Sequence, residues 1–196
     1  MDVLRIPAGR MARPLGAYLS HTLFFAAGWS VLNGFADTVP VLIAVLLHEL
    51  GHLIACRLLG VRVRTFRATA AGAVIGYDAA LLSYPREMIV AAAGPFVNFL
   101  SFLLVLGCHG RAAALFGIAS LALALFNLLP HEKLDGGVIL SALLSCRFGA
   151  DAAARFVHIF SAILTVLLWA CAVAVQMRCG GNLSLLLVSV YLLMTL

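Results

Sequence analysis

Residues 48–52 read His-Glu-Leu-Gly-His. In a helix, positions i and i+4 share one face, so His48 and His52 can offer two imidazole nitrogens to one metal ion from a single rigid element. Glu49 stands beside His48, within reach of a water on that ion without being a ligand itself. Zinc lowers the pKa of such a water and a neighbouring carboxylate takes its proton, so this spacing suits hydrolytic chemistry. Chance is a poor account of the pattern. Six His and three Glu placed at random in 196 residues produce it roughly 0.3 % of the time. The plainer account, two histidines bonded to backbone carbonyls in a helix bundle, leaves aligned polar groups in need of partners.

The flanks of the pentad are VPVLIAVLL (39–47) and LIACRLLG (53–60), so it sits inside a membrane-length apolar helix. Ionisable residues at such a depth are costly and point to function. The whole chain is 64 % hydrophobic and 11 % charged. An ordinary soluble domain is about 45–50 % apolar and about 25 % charged, so that class is excluded. Long continuous apolar runs, rather than short alternating ones, exclude a β-barrel. The expected fold is an all-α polytopic membrane protein in a lipid bilayer. The net charge of +5 does not imply a nucleic-acid partner, because the arginines flank apolar spans. The five scattered cysteines include no CxxC and read as small packing residues.

About six transmembrane helices are expected, near 14–32, 39–59, 87–107, 112–130, 155–176 and 182–196. The first follows Arg5, Arg10 and Arg13 and reads as a retained span rather than a signal peptide. With the N-terminus in the cytoplasm, that side holds Arg5, Arg10, Arg13, Arg57, Arg62, Arg64, Arg67, Arg86, Lys133, Arg147 and Arg155. Only Arg111 and Arg178, of the 13 Lys and Arg, fall on the other side. This asymmetry favours a multi-pass protein of the cell membrane with both termini cytoplasmic. Between the second and third spans, Val61, Val63 and Thr65 alternate with Arg62, Arg64 and Phe66, a period of two that suits a strand. Gly72 and Gly76 punctuate this stretch as turns or points of close approach. A small membrane-associated β element beside the metal helix is expected.

Two further stretches carry polar groups. In AAAGPFVN (91–98), Gly94-Pro95 suggests a kink or close helix packing, and Asn98 is a lone amide that needs a partner, either another helix or the metal region. In NLLPHEKLDGG (127–137), Pro130 breaks the fourth span, and Gly136-Gly137 loosen the restart around Asp135. Catalytic zinc sites commonly take three protein ligands, and a carboxylate oxygen suits the third place. Both the pentad and Asp135 fall toward the cytoplasmic ends of spans that run in the same direction, so they can meet at one depth.

The pentad in one span, AGPFVN in the next and NLLPHEKLDGG after the following one together resemble the site-2 protease family of intramembrane zinc metalloproteases. The compact layout is similar to its sporulation-type bacterial branch. The resemblance covers about residues 39–145 of a chain expected to form one domain, 1–196, with no appended regulatory domain. It implies one Zn2+ per chain held by His48, His52 and Asp135, with Glu49 as general base. It also implies that Asn127 orients substrate and that the 61–77 segment, with Gly72 in it, holds an extended substrate; Asn98 is a further candidate for substrate contact. The implied partner is a transmembrane or membrane-associated protein that is cut near the cytoplasmic face. His131, Glu132 and Lys133 depart from the apolar residues common there; His131 is either a rival ligand or, the favoured reading, a side chain facing water at the membrane edge. Two other functions fit less of the sequence: a non-catalytic relative that binds a partner's helix, and a metal-ion transporter, which needs more liganding groups along a path. Small-residue faces such as Ala91–Gly94 suit contacts within the chain, with a regulatory membrane partner or in a homo-oligomer.

Overall fold

The computed structural model describes residues 35–61, 63–69, 72–77 and 83–179. These residues form α1 Phe35–Leu58, β1 Val63–Thr69, β2 Gly72–Tyr77, α2 Tyr84–Val105, α3 Arg111–Asn127, α4 Asp135–Phe148 and α5 Ala150–Cys179. The expected spans at 14–32 and 182–196 lie outside them.

Along α1 the buried positions step by three and four residues: Thr38, Val41, Val45, His48, His52 and Ala55. The opposite stripe, Val39, Ile43, Leu46, Leu50 and Ile54, is exposed and wholly apolar. This is the reverse of a water-soluble helix, in which the polar stripe faces out. Among the described residues, three helices are long and apolar enough to cross a membrane, over Asp37–Leu58, Tyr84–Val105 and Ala150–Arg178. The apolar α3 has 17 residues, which rise about 26 Å against a hydrocarbon core of about 30 Å.

The spans expected near 112–130 and 155–176 left no helix of its own to the stretch between them, and that stretch needs correction. α3 ends at Asn127, the chain bends through 128–134, and α4 occupies Asp135–Phe148 before α5 begins at Ala150. Asp135 is therefore the first residue of a new helix. Gly136 and Gly137 lie in the first turn of α4 rather than in a loosened loop. Gly149, with φ of 84°, makes the turn from α4 into α5 in the left-handed region that favours glycine.

α1 packs against α2 and α3, α2 also meets α4, and α4 meets α5. A lipid-facing bundle gains cohesion from close van der Waals packing, which small residues permit. At Gly51 an added Cβ would lie 2.7 Å from the Ala93 carbonyl oxygen, so α1 and α2 touch there at backbone level. Two apolar layers bracket the histidines. Val41, Ala44 and Val45 pack on Ala119 and Leu123 of α3 on one side, and Ala55 and Cys56 pack on Val90 of α2 on the other. Of the cysteines read as packing residues, Cys56 is in this core, whereas Cys108, Cys146 and Cys171 are exposed. An ion pair between Asp37 and Arg111 ties the starts of α1 and α3 together, so the two helices run the same way. The alternating stretch after α1 forms an antiparallel hairpin in which Phe66 pairs with Ile75 and Thr69 with Gly72, with an irregularity between Val63 and Thr65.

Candidate metal centre

His48 and His52 project from the inner face of α1, and Asp135 meets them from the start of α4. His48 Nε2 lies 3.2 Å from His52 Nε2 and 3.2 Å from Asp135 Oδ2, and the third edge, His52 Nε2 to Asp135 Oδ2, is 3.5 Å. All three residues are buried. Tetrahedral bonds of about 2.0–2.2 Å from zinc to nitrogen and oxygen imply ligand separations of about 3.3 Å. The triangle therefore has the size that a zinc ion requires.

The third helix in the site is α2, which supplies no ligand but sets the two rings. His52 Nδ1–H donates to the Val90 carbonyl at 2.8 Å. A carbonyl only accepts, so the proton of a neutral ring is on Nδ1 and the Nε2 lone pair faces the triangle. Asn98 lies against the other ring, with Nδ2 3.2 Å from His48 Nδ1. One turn earlier on α2, Gly94 closes over the imidazoles: a Cβ there would stand 2.3 Å from His52 Nε2 and 2.8 Å from His48 Nε2. Only a residue without a side chain leaves that space open. The Gly94-Pro95 pair thus serves close packing, and α2 runs through it unbroken.

Asp135 is placed by the bend before it. A Cβ on Gly136 would fall 2.1 Å from the Leu128 carbonyl oxygen, and one on Gly137 would fall 1.9 Å from that of His131. The bend's backbone lies directly on the first turn of α4, which explains why two glycines follow the aspartate. α5 holds the same bend from outside. His131 Nε2–H donates to Thr165 Oγ1 at 3.1 Å, and Thr165 Oγ1 in turn donates to the Ser161 carbonyl at 2.8 Å. The Glu132 N–H donates to Ser161 Oγ at 2.8 Å, and the Lys133 N–H donates to His131 Nδ1 at 3.2 Å. The reading of His131 as a side chain facing water is therefore wrong. It is 0 % exposed, because its two nitrogens link the bend to α5 and to its own backbone. Nor is it a rival ligand, since the ligand cluster consists of His48, His52 and Asp135 alone among the described residues. Burial holds the His131 imidazole below its ordinary pKa, with the Lys133 charge adding to that effect against Glu132. For Glu132, burial would push the carboxyl up. The hydrogen bond to His158 and the Lys133 ammonium outweigh it and hold the group below the usual carboxylate range.

The remaining expected residues divide. Glu49 is buried one position along α1 from His48. Asn127 ends α3, buried, with Nδ2 donating to its own Leu123 carbonyl at 2.9 Å. Gly72 opens β2 in the hairpin. Asn98 is 0 % exposed and lies against His48. Its neighbourhood was legible in part, since Gly94 and Asn98 are four apart and share one face of α2.

The donor set itself calls for a cation. Asp135 Oδ2 is buried and has no hydrogen-bond donor, although two histidine nitrogens stand within 3.5 Å. A carboxylate left this way in an apolar interior is strongly unfavourable unless a positive charge neutralises it. Two imidazoles and one carboxylate suit Zn2+.

Peptidase family M50 matches residues 36–112 and 106–171, which together span both helices of the triangle. The chain belongs to this family, the site-2 protease family of zinc metalloproteases. A zinc metalloprotease of Methanocaldococcus jannaschii is 29% identical over 154 residues, covering 71% of this chain and 45% of the relative. A Synechocystis relative, named as a candidate zinc metalloprotease, is 31% identical over 145 residues, covering 69% of this chain and 38% of its own length. The chain thus spans less than half the length of these curated relatives. A solved site-2 protease from Methanocaldococcus jannaschii shares the fold, with a TM-score of 0.66 at 24% identity over 88% of this chain and 84% of the other. Family and donor set agree on Zn2+ as the cofactor.

Proposed function

We propose that this chain is an intramembrane zinc endopeptidase that hydrolyses peptide bonds of membrane-embedded or membrane-associated proteins near the cytoplasmic face. The observation that carries the proposal is the buried triangle of His48 Nε2, His52 Nε2 and Asp135 Oδ2, with Glu49 next to it on the same helix. In this reading His48, His52 and Asp135 hold the metal. Zinc bound there supplies Lewis-acid chemistry, drawing electron density from a carbonyl and making water nucleophilic near neutral pH. Glu49 accepts the proton that the attacking water loses as its oxygen bonds to the scissile carbon. It then returns that proton to the amine nitrogen as the C–N bond breaks. Burial of Glu49 in a bundle interior keeps that proton on one short path.

A substrate helix hides its carbonyls, so it must unwind to be cut. The β1–β2 hairpin, which includes Gly72, is the element suited to pair with the unwound segment and replace its lost backbone bonds. In the same reading Asn127, at the end of α3 and eight residues before Asp135, orients that segment. The six-span layout and the cytoplasmic termini are part of the same proposal and are supported by the distribution of Lys and Arg.

The test is Glu49→Gln in the purified, detergent-solubilised chain, with zinc content and cleavage of single-span membrane proteins measured together. Zinc is expected to stay bound and cleavage to vanish. Retained cleavage overturns the role of Glu49. Zinc binding without cleavage in the unsubstituted chain instead favours a non-catalytic, helix-binding relative.

A further inference from the structure

We infer that Asn98 is a positioning residue for the metal centre: its amide oxygen accepts the Nδ1 proton of His48 and so directs that ring's Nε2 lone pair into the triangle. The inference rests on the zinc-site reading above and concerns how the site is tuned.

The argument begins with an imbalance. Asn98 is 0 % exposed. Its Nδ2 faces His48 Nδ1 at 3.2 Å, while its Oδ1 is buried with no donor. With the amide in that sense, His48 Nδ1 must accept and the proton of a neutral ring must sit on Nε2. Nε2–H would then point at His52 Nε2 and Asp135 Oδ2, into the space where three lone pairs are needed. Half a turn of the amide exchanges its two ends with little change in shape, and the choice between them is made by the hydrogen-bond network. In the turned sense Oδ1 accepts from His48 Nδ1–H, and the buried oxygen gains its donor. His48 then matches His52, whose Nδ1–H is taken by the Val90 carbonyl at 2.8 Å. Both outer nitrogens are thus proton donors to α2 and both inner nitrogens are lone pairs. Metal-bound histidines in general give their other N–H to a carbonyl or carboxylate, which fixes the tautomer and raises the basicity of the ligand. Here α2 supplies both acceptors, eight residues apart.

The experiment uses the full chain in detergent with zinc as the probe. Nitrogen-15 histidine spectra of the zinc-loaded, unsubstituted protein should show the His48 proton on Nδ1; a proton on Nε2 with Nδ1 bare overturns the inference with no substitution made. Zinc affinity, measured by competition with a chelator of known affinity, should fall about 10–100-fold in Asn98→Leu. It should recover in Asn98→Asp, whose carboxylate accepts from Nδ1–H without competing donors. A merely packed amide predicts the opposite order, because the aspartate would bury an unpaired charge where the leucine would not. Equal affinity in all three proteins, or weaker binding by Asn98→Asp than by Asn98→Leu, therefore sinks the proposal. If the unsubstituted chain takes up no zinc at all, it is the metal-site reading that fails, not the ordering of its supports.

Discussion

Gly94→Ala is the sharpest test of how the bundle makes room for a metal. The new methyl carbon would stand 2.3 Å from His52 Nε2 and 2.8 Å from His48 Nε2, whereas ordinary contact begins at 3.4 Å. The His52 ring, or the backbone of α2, must give way by about 1.1 Å. Ligand positions in a working site are held to about 0.2 Å, so a shift of that size removes a ligand from the set. Zinc affinity is expected to fall by about 100-fold or more, the upper end of what loss of a supporting contact alone produces. Stability should change far less. Alanine gains about 0.8–1.0 kcal/mol of helix propensity over glycine, and overpacking costs about 1–3 kcal/mol, so the net loss is about 0–2 kcal/mol. The signature is a folded protein that has lost its metal. Zinc stoichiometry on the purified protein, with thermal unfolding in the presence and absence of a chelator, reads both quantities. Gly117→Ala is the control, since its Cβ would meet a movable Val105 methyl at 3.0 Å, away from the ligands. Wild-type zinc affinity in Gly94→Ala would refute the placement of α2 over the imidazoles.

The bend before Asp135 offers two further tests. Gly137→Ala puts a carbon 1.9 Å from the His131 carbonyl oxygen, a backbone atom. Both folding yield and zinc content should drop, and a normal melt with full zinc would contradict the account of the double glycine. Acid should loosen the same region in two stages. His131 is held neutral below its ordinary value of 6.5, so the unfolded chain binds more protons and stability falls as pH drops below about 6.5. Glu132, also depressed from its ordinary 4.5, adds a second loss below about 4.5 by the same sign. Hydrogen exchange at 128–134, corrected for the intrinsic pH dependence of amide exchange, should show both as falling protection, and protection that rises on acidification would count against the tautomer assigned to His131.

The three residues of the buried cluster were legible in the sequence because the chemistry of a metal site fixes their spacing. Two histidines four apart need no tertiary knowledge to be placed on one face. Asp135 could be joined to them because charge asymmetry gave both spans a direction. What escaped was whatever depends on a neighbour's backbone. α4 was not seen because Gly136-Gly137 lower helix propensity, and their need arises only from the Leu128 and His131 carbonyls lying over them. His131 was assigned to water because His-Glu-Lys looks like an interfacial loop. The contrary signal was on α5, where His158, Ser161 and Thr165 are spaced three and four apart and form a polar stripe within an apolar helix. Asn98 was read as helix glue, as a group of the metal region or as a substrate contact, with no choice among them. Its pairing with His48 follows from the depth at which α1 and α2 cross, and sequence pattern does not set that depth.

Charge balance ties the centre to its setting. An apolar interior tolerates ionised groups only when they balance. Asp135 and Glu49, when ionised, contribute two negative charges at the triangle. The two imidazoles, neutral as ligands and with the His52 proton on the Val90 side, contribute none. The Lys133 ammonium is 3.3 Å from the Glu132 carboxylate, which it balances. A divalent cation therefore brings the buried set to zero, whereas a monovalent one leaves it negative. In the absence of metal the same neutrality requires two protons, which would occupy the lone pairs the cation uses. Metal release should accordingly be accompanied by proton uptake. The fold biases that competition toward the cation by engaging the outer nitrogens with α2, which turns the inner lone pairs toward one another and toward Asp135 Oδ2.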